Sequence, residues 1–539
     1  MKLIRLIAIG FLLGIASGSD SHAAEGEIKL IGAEEGIRNR GRLPAEIVGD
    51  VVIVGRHNVD HDRHPGAGRI YTLNRNKWEL TAELTAHDRK PNTGQAGFGY
   101  DVSISAPPGR RHADYAIIGA PGDDEGAENA GAAYIYAFNS PHWQQEVKLT
   151  AADAGQRDAF GHVVSIDGTT AVVGAPGDDD AGNNSGAVYL FVRDANGWKQ
   201  HAKLVPKDSA KLDAFGDAVK IQADTLIVGA TGHTHGGTRF AGAVFVFVRD
   251  GDTWREQAKL TADDAGAGDQ FGVSVGMEGD TIIVGSKKND PDGIRDAGAA
   301  YIFQRDGNTW NQAAKLTAPK KRKGDHFGSG VATSRNIAIV GAPLSEAGGF
   351  SAGAAYSFVN ADGVWKNTAT VLPEVAHPNL FYGSAIAISG DTVIVTGCDG
   401  PEKGVGVGNG IVAYVYSGAE HFNTPPFAVE PFGLKITTLA HLKRTALYQN
   451  FPNPFNPETW LPYRLAGDAP VTFRIHNIHG QLVRALDLGT QEAGDYRDRE
   501  TAAYWDGRDI TGEMVSSGVY FYTLRAGAFQ ATRRMLILK

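Results

Sequence analysis

Short apolar segments alternate with turns rich in glycine, aspartate and asparagine along most of the chain. The unit that begins at Phe160 contains four such segments, Val163 to Ile166, Thr170 to Val173, Ala187 to Val192 and Trp198 to Leu204. Apolar runs of this length between turn residues are typical of β-strands. The second segment of each unit is apolar and rich in β-branched residues, which indicates a strand buried on both faces. The pattern therefore predicts a repeated unit of four antiparallel strands.

This unit recurs with a nearly fixed period. Phe-Gly pairs open five units and a looser Phe-Tyr-Gly opens another, at Phe98, Phe160, Phe215, Phe271, Phe327 and Phe381, in steps of 62, 55, 56, 56 and 54 residues. A seventh unit precedes them, where Gly49-Asp50 leads into the apolar run Val51 to Val54. Four antiparallel strands make one blade of a β-propeller, so the repeat predicts a seven-bladed propeller.

The last unit lacks its fourth strand, because no Trp-containing segment follows Tyr414-Val415-Tyr416. The segment Glu27-Ile28-Lys29-Leu30 resembles Glu146-Val147-Lys148-Leu149, which lies in a fourth strand of another unit. We expect this N-terminal strand to complete the last blade and close the ring, which would remove free sheet edges.

Composition and charge narrow the class of protein. The chain of 539 residues contains 69 glycines and 42% apolar residues, which fits a folded, turn-rich all-β protein. The formal net charge of -9 argues against a general nucleic-acid binder. One cysteine, Cys398, allows no intrachain disulfide, so packing and ring closure have to supply the stability.

The N-terminus has the pattern of a secretory signal peptide, predicted to cover residues 1–24. Lys2 and Arg5 precede an apolar run from Leu6 to Ala16, and Ser21-His22-Ala23 provides a small-residue cleavage site. The run is too short to span a bilayer, and we expect no transmembrane segment after the signal is removed. The predicted location is secreted or at the cell surface.

Gly-Ala-Pro tripeptides follow the Phe-Gly pairs at a fixed distance, as in Gly119-Ala120-Pro121, Gly174-Ala175-Pro176 and Gly341-Ala342-Pro343. This arrangement resembles the FG-GAP repeat of the integrin α-subunit propeller and its bacterial relatives, over residues 25–418. The resemblance implies a seven-bladed propeller that binds protein or glycan ligands with one face, and it implies no catalysis.

The sequence departs from this family at the calcium loop, which the family carries in the hairpin between the Phe-Gly strand and the Gly-Ala-Pro strand. Here that hairpin is only Asp167-Gly168, Ala223-Asp224 or Gly279-Asp280. Six or more oxygen ligands do not fit so short a turn. We therefore expect no family-type calcium site and no cofactor, while calcium or another divalent ion elsewhere stays open.

A second region begins at about Leu447. It contains Gln449-Asn450-Phe451-Pro452-Asn453-Pro454, then Tyr504-Trp505-Asp506-Gly507, then Ser517-Gly518-Val519-Tyr520. These motifs resemble the C-terminal sorting domain of type IX secretion cargo and the Ig-like domain of flagellar hook-capping proteins. Alternating strands such as Val471 to Ile475 fit a small sandwich. The predicted fold class is thus all-β, a seven-bladed β-propeller (25–418), a linker (419–446) and a small Ig-like β-sandwich (447–539).

Charged loops on one end of the propeller are the candidate ligand-binding residues. The acidic candidates are Asp123, Asp124, Glu125, Asp178, Asp179 and Asp180, near Asp153 and Asp158, and the basic candidates are Lys287, Lys288, Lys321 and Arg322, within the run 320–323. Clustered carboxylates suit a hard cation or a basic partner, and the basic residues suit an anionic ligand. The alternative is that both sets are solvated turn residues.

The loop after the first Val-rich strand carries the candidate metal ligands His57, Asp60, His61, Asp62 and His64, and His87, His233 and His235 are weaker candidates. Imidazoles and carboxylates at close spacing suit zinc or another divalent ion. No specific catalytic motif accompanies them, so no enzyme activity is predicted.

The predicted function is an exported or surface-displayed binding or adhesion protein. Its expected partners are an extracellular protein or glycan, and the secretion machinery or cell envelope through the C-terminal domain. The alternative for that domain is a plain structural Ig-like module. Two alternatives stay open, an extracellular polymer-degrading hydrolase or lyase acting on the same face, and a structural surface-layer component.

Overall fold

The computed structural model describes residues 27–29, 44–57, 66–74, 77–88, 97–106, 113–347, 351–373, 379–390, 392–399, 410–417, 445–448, 450, 458–465, 468–491, 494–496, 502–527 and 529–537. The fold is all-β, with a single 3₁₀ turn at Pro291–Gly293 as its only helical element in this part of the chain. No helix among these residues is long and apolar enough to cross a membrane.

Seven four-stranded antiparallel sheets, here called sheet 1 to sheet 7, account for the described residues before position 418. The first strand, β1 (Glu27–Lys29), belongs to sheet 7. Sheet 1 contains β2 (Ala45–Val48), β3 (Val51–Arg56), β4 (Ala67–Asn74) and β5 (Lys77–Leu84). Sheet 2 contains β6 (Val102–Ser105), β7 (Tyr115–Ala120), β8 (Ala132–Asn139) and β9 (His142–Leu149). Sheet 3 contains β10 (Val163–Asp167), β11 (Thr170–Ala175), β12 (Ala187–Asp194) and β13 (Gly197–Leu204).

The same order continues through the later units. Sheet 4 contains β14 (Phe215–Gln222), β15 (Thr225–Ala230), β16 (Ala243–Asp250) and β17 (Thr253–Leu260). Sheet 5 contains β18 (Phe271–Glu278), β19 (Thr281–Ser286), β20 (Ala299–Asp306) and β21 (Thr309–Leu316). Sheet 6 contains β22 (Gly330–Ser334), β23 (Ile337–Ala342), β24 (Ala354–Ala361) and β25 (Val364–Val371). Sheet 7 contains β26 (Ile386–Ser389), β27 (Thr392–Asp399), β28 (Gly410–Ser417) and β1.

Sheet 7 is completed by the N-terminal strand, as the sequence predicts. Strand β1 pairs with β28 in antiparallel register, with Glu27 opposite Tyr416 and Lys29 opposite Tyr414. The two ends of the repeat region are therefore hydrogen-bonded within one sheet.

The hydrophobic core lies between neighbouring sheets. Ile117 and Ile135 of sheet 2, for example, share a buried cluster with Val164 and Val173 of sheet 3. A corresponding cluster joins sheet 7 to sheet 1, where Ile394 packs with Val52 and Val54. Because each sheet buries both faces, its second strand, rich in β-branched residues, is buried along most of its length. The repeated sheets are consistent with a propeller.

Glycine allows the backbones of consecutive sheets to touch at one end. A Cβ atom built on Gly174 of sheet 3 would lie 2.3 Å from the carbonyl oxygen of Gly216 in sheet 4. The same contact recurs between Gly119 and Gly161, where the distance would be 2.0 Å. The Gly-Ala-Pro glycine of one unit thus faces the Phe-Gly glycine of the next, and no larger residue fits either position without a backbone shift.

The innermost strands have one edge without a backbone partner in their own sheet, and side chains of the preceding sheet accept from their N–H groups. Ile166 N donates to Ser103 Oγ at 3.1 Å, and Ile221 N donates to Ser165 Oγ at 3.2 Å. A related bond joins sheet 1 to sheet 7, where Gly49 N, in the turn after the first strand, donates to Ser389 Oγ at 3.2 Å. These bonds satisfy edge groups that would otherwise be open to further strands.

The C-terminal region forms a separate β-structure. Its strands are β29 (Ala446–Leu447), β30 (Thr459–Leu461), β31 (Tyr463–Leu465), β32 (Ala469–Asn477), β33 (Leu482–Gln491), β34 (Gly494–Tyr496), β35 (Ala503–Trp505), β36 (Gly518–Ala526) and β37 (Phe529–Ile537). One sheet has the order β33-β32-β36-β37, and β29-β31-β34 and β30-β35 form two smaller ones. They enclose a core that contains Phe473, Trp505 and Tyr522. Ala446 already lies in a strand, one residue before the predicted domain boundary.

Substituting Gly174 with alanine tests the glycine contact. The new Cβ would meet the Gly216 oxygen at 2.3 Å and Val163 Cγ2 at 2.5 Å, so we expect a loss of about 3 kcal/mol or more in the free energy of unfolding. Gly168→Ala is the control: Gly168 has φ +54 and a Cβ added there would meet nothing within 4 Å, so its cost is the backbone strain alone, about 1 kcal/mol. Equal losses in urea denaturation of the two variants would contradict the contact.

Candidate functional site

The two ends of the sheets differ in the length of their connections. Two-residue turns join the first strand to the second in every sheet except sheet 2, where residues 106–114 make this connection, and they join the third strand to the fourth in sheets 1 to 6, as at 195–196 in sheet 3. Longer segments, such as 176–186 and 205–214, join the second strand to the third and each sheet to the next. Because strands alternate in direction, these longer segments emerge at the same end, here called the loop face. All the acidic and basic candidates lie on it.

The acidic candidates of sheet 3 surround a lysine from the same sheet. Lys203 Nζ lies 2.7 Å from Asp153, 2.8 Å from Asp178 and 2.5 Å from Asp180. The Tyr189 hydroxyl donates to Asp153 and to Asp178, both at 2.9 Å. Oxygens of the three carboxylates lie within 4.8 Å of one another, a spacing that a metal ion also needs, but the ammonium group of Lys203 occupies the centre of the cluster.

Electrostatics stabilise this cluster in its charged form. Burial alone would raise the pKa of Asp153, but hydrogen bonds from Lys203 and Tyr189 hold it below its ordinary value. Burial alone would lower the pKa of Lys203, and hydrogen bonds to the three carboxylates raise it instead. Burial raises the pKa of the Tyr189 hydroxyl, and the Asp178 carboxylate adds to this rise against the opposing effect of Lys203, so the hydroxyl stays a neutral donor. The acidic loop of sheet 3 is therefore neutralised from within.

Related clusters recur in the neighbouring sheets. In sheet 2, Lys148 Nζ lies 2.9 Å from Asp88, 2.9 Å from Asp123 and 2.7 Å from Glu125. In sheet 4 Lys259 pairs with Asp208, and in sheet 5 Lys315 pairs with Asp264. Each lysine also lies over an aromatic ring of its sheet, at 5.2 to 5.8 Å from the ring centroid.

Of the acidic candidates, Asp123 and Asp178 are the most strongly engaged within the protein. Asp178 is buried and Asp123 is held by Lys148. Asp124 and Asp179 are exposed, but each also accepts from a backbone N–H, that of Asn129 at 2.8 Å and that of Asn184 at 2.6 Å. Asp180 and Glu125 remain largely exposed beyond their lysine contact.

Sequence reasoning missed the lysines, although the repeat carries a signal for them. Tyr134 and Lys148, and likewise Tyr189 and Lys203, are 14 residues apart and stand opposite each other in the hairpin of the third and fourth strands. An aspartate follows the lysine by five residues in sheets 2, 3 and 4, as Asp153 follows Lys148. That aspartate contacts the lysine of the next sheet, as Asp153 contacts Lys203. Because the pair joins two units, the sequence of a single repeat does not reveal it.

Sheet 6 departs from this arrangement. Thr370 stands opposite Tyr356, where sheets 2 to 5 have lysine, and Lys320 stands where the connections leading to sheets 2 to 5 have an aspartate. Arg322 lies near Tyr356 and Asp325, and its guanidinium is 3.5 Å from Glu346, so it supplies the positive charge instead. Arg322 thus has a structural partner, which reduces its role as a ligand-binding candidate.

A buried carboxylate lies below this loop. Asp325 is 2% exposed, and its Oδ2 atom has no hydrogen-bond partner among the described residues. Burial raises the pKa of Asp325 to about 6, opposed by the Arg322 charge. Its counterpart in sheet 5, Asp269, accepts from Gly266 N at 2.8 Å and from Asn289 Nδ2 at 2.7 Å.

The other basic candidates differ in their pairing. Lys321 lies 3.0 Å from Asp292, whereas Lys288 has no carboxylate within 4 Å among the described residues. Lys287 and Lys288 lie close enough to His326 to reinforce the effect of burial, which lowers the pKa of that imidazole. Basic side chains from sheet 5 and from the connection to sheet 6 therefore share one part of the loop face.

The histidine candidates are not brought together in the part of the chain that is described. His57 is buried and its ring lies 5.2 Å from that of Tyr100, and burial lowers its pKa to about 4. Asp60, His61, Asp62 and His64 lie outside the described residues. His233 Nδ1 is 3.0 Å from Asp213 and its Nε2 is 3.4 Å from Lys259, so a metal ion would have to displace these partners.

Sequence reasoning did not identify a series of polar contacts that runs across sheets 2 to 4. The Tyr100 hydroxyl lies 3.2 Å from His162 Nε2, His162 Nδ1 lies 3.7 Å from Asp217, and Thr231 donates to Asp217 at 2.9 Å. Tyr100, His162 and Asp217 each follow a Phe-Gly pair directly, which was the available signal.

Comparison with known proteins identifies two kinds of module. Five stretches match the FG-GAP repeat, at residues 78–136, 143–191, 198–247, 254–303 and 310–358. Residues 459–528 match the FlgD Ig-like domain. No curated protein matches the chain. The solved structure of Sqt1 from Saccharomyces cerevisiae aligns at 9% identity over 79% of this chain and 93% of that chain, with a TM-score of 0.40, too low to bear on the fold.

Replacing Lys203 with methionine tests whether the acidic cluster is structural. Three carboxylates would lose their counter-charge, so we expect a loss of about 2–4 kcal/mol at pH 7 in thermal or urea unfolding. Because the folded state lowers the pKa of Asp153, this group stabilises the fold above its ordinary pKa and ceases to do so as pH falls through the folded value. The difference from wild type should therefore shrink in acid. Lys199→Met, which removes an exposed pair with Asp194, should change the stability far less than Lys203→Met.

Replacing Asp325 with asparagine tests the unpartnered carboxylate. Because its pKa is raised to about 6, the folded state favours the protonated acid, and the stabilisation present at low pH is lost as pH rises through 6. Asp325→Asn should raise the thermal unfolding midpoint by a few degrees at pH 8 and hardly at all at pH 4. Asp269→Asn, at a carboxylate with both partners, should give no such gain, and a drop at pH 8 for Asp325→Asn would refute the assignment.

Proposed function

We propose that this chain is an exported or cell-surface binding protein. Its repeat region is a closed seven-bladed propeller whose loop face binds an extracellular protein or glycan, and its C-terminal Ig-like domain serves secretion or attachment to the cell envelope. The FG-GAP matches support this function, because the resemblance of the sequence to that family implies ligand binding by one face of a propeller.

Contacts between the first and last sheets support the closed ring. The first strands of the sheets contact one another in chain order, and β26 of sheet 7 also contacts β2 of sheet 1. A buried cluster and the bond from Gly49 N to Ser389 Oγ lie at that same junction. A ring of this kind leaves no inner sheet edge without a neighbour.

The distribution of charge on the loop face is the observation that carries the binding proposal. The lysines that recur in sheets 2 to 5 form ion pairs within the protein. Other charged side chains on the same face extend into solvent. Among these are Lys320 and Lys323, which are exposed and have no carboxylate within 4 Å among the described residues. Asp180 and Glu125 contact their lysines, but their side chains stay 66% and 62% exposed. These exposed groups are accessible to a partner.

Export and attachment rest on the two ends of the chain. The signal pattern of residues 1–24 lies outside the described residues, so export is argued from its sequence. The match of residues 459–528 to the FlgD Ig-like domain fits an accessory module, and the resemblance to type IX sorting domains motivates its role in secretion.

We propose no catalytic role for the loop face. Its nearest approach to a catalytic array within the described chain is Tyr100, His162 and Asp217. The 3.7 Å separation of His162 Nδ1 from Asp217 exceeds hydrogen-bond length, so Asp217 does not fix the imidazole as a catalytic base requires.

Blocking one end of the propeller tests the proposal. In a Cys398→Ala background, Glu128→Cys and Lys320→Cys on the loop face, and Asn196→Cys in a turn at the other end, would each be coupled to a maleimide polyethylene glycol. The full-length protein is then measured on an array of extracellular glycans and surface proteins. We expect the two loop-face conjugates to lose binding and the Asn196→Cys conjugate to keep it. Absence of any binding, or loss only from the turn conjugate, would contradict the proposal.

A further inference from the structure

We propose that the junction of sheets 5 and 6 on the loop face binds an acidic polysaccharide through Lys288, Lys320 and Lys323. This inference rests on the proposed function and adds the position and the chemistry of the ligand. Sulfate and carboxylate groups on a flexible glycan chain supply the repeated negative charges that such lysines would contact.

The repeated ion pair is reversed at this junction. Between sheets 2 and 3, Asp153 contacts Lys203, and the equivalent aspartates Asp88, Asp208 and Asp264 contact their own lysines. At the junction of sheets 5 and 6, Lys320 replaces the aspartate and Thr370 replaces the lysine. The pair that joins the four preceding junctions is thus missing here, and a lysine has been added on the loop side.

The added lysines are not compensated within the described residues. Lys288, Lys320 and Lys323 have no carboxylate within 4 Å there, whereas their neighbours Lys321 and Arg322 are paired with Asp292 and Glu346. Lys320 and Lys323 are exposed and Lys288 is half-buried. Three lysines without a carboxylate partner within 4 Å among the described residues therefore lie in one sector of a protein whose net charge is -9.

The geometry of these groups decides the kind of anion that fits. The sector offers separate ammonium groups on flexible stems, and the one arginine close by is held by Glu346. Lysine ammonium groups act as point charges without the planar fork that binds a single phosphate or carboxylate tightly. Such an array favours a polymer with many weak contacts over one small anion. Among polymers, the proposed extracellular location and the overall acidic charge favour a glycan over a nucleic acid.

Two titratable groups beside this sector, Asp325 and His326, change protonation below neutral pH. Burial raises the pKa of Asp325 to about 6, and burial together with Lys287 lowers the pKa of His326. At pH 7 the imidazole therefore stays neutral, and the lysines supply the positive charge. Binding should change little between about pH 7 and pH 8, unlike binding that depends on a histidine with an ordinary pKa.

The test compares two triple variants of the full-length protein that change the net charge equally. Lys288→Ala/Lys320→Ala/Lys323→Ala removes the sector, and Lys77→Ala/Lys199→Ala/Lys366→Ala removes three exposed lysines from the outer strands β5, β13 and β25. Affinity is measured by biolayer interferometry on immobilised heparin, polygalacturonate, single-stranded DNA and neutral dextran, at several salt concentrations. Unfolding midpoints of both variants confirm that they are folded.

We expect wild type to bind at least one acidic polysaccharide and not dextran, with affinity that falls as salt rises. The sector variant should lose roughly tenfold or more in affinity, and the outer-strand variant less than about threefold. Heparin and polygalacturonate separate sulfate from carboxylate recognition.

Three results would overturn the inference. Equal losses in the two variants would mean that net charge alone drives binding, and stronger binding of wild type to single-stranded DNA than to either acidic glycan would identify another class of ligand. Failure of wild type to bind any acidic polysaccharide would also overturn it. The two proposals can fail separately. If wild type binds no acidic polysaccharide but binds another ligand of the array, and the Glu128→Cys and Lys320→Cys conjugates lose that binding, the proposed function is kept and only this inference is rejected.

Discussion

Close approach of the backbone between consecutive sheets is the constraint on which the rest of this structure depends. The glycine that ends the second strand of one sheet meets the Phe-Gly glycine of the next, as Gly229 meets Gly272 and Gly285 meets Gly328. A side chain at either position would separate the sheets at the loop face and expose the clusters packed between them. The contact lies where the second strand ends and the long connection begins. It therefore helps to position the charged side chains that these connections carry on the loop face. The phenylalanine beside this glycine links the contact to the core, because Phe215 N donates to Ser185 O of the preceding sheet at 2.9 Å while its ring packs against Phe245 with centroids 5.5 Å apart.

Much of the fold could be predicted from the sequence because strands, turns and the period depend on local patterns. The four strands of the unit at Phe160 were predicted to within two residues at each end, and the N-terminal strand was assigned to the last sheet. The candidate site was predicted less well. Asp178 looks like a solvated turn residue in sequence, and its burial depends on Lys203, 25 residues away, and on Tyr189. That Thr370 occupies the position of the repeated lysine can be recognised only when the strand pairings of the sheets are compared.

The charges of the loop face fall into two groups when they are compared with the repeat. Charges that recur from sheet to sheet, such as Lys148 and Lys203, neutralise their own neighbourhoods and stabilise the junctions. Charges that break the repeat, such as Lys320, have no such partner in the described chain. Comparing equivalent positions of the sheets therefore separates two kinds of residue. A side chain that the scaffold requires should appear in most sheets, whereas one that a ligand requires need not.

A crystal structure of the full-length protein grown with calcium and a sulfated oligosaccharide would test this division most directly. We predict that Lys203 remains among Asp153, Asp178 and Asp180 without a calcium ion, and that sulfate groups lie beside Lys288, Lys320 and Lys323. Calcium among those three carboxylates with Lys203 displaced, or the oligosaccharide bound away from the junction of sheets 5 and 6, would contradict it.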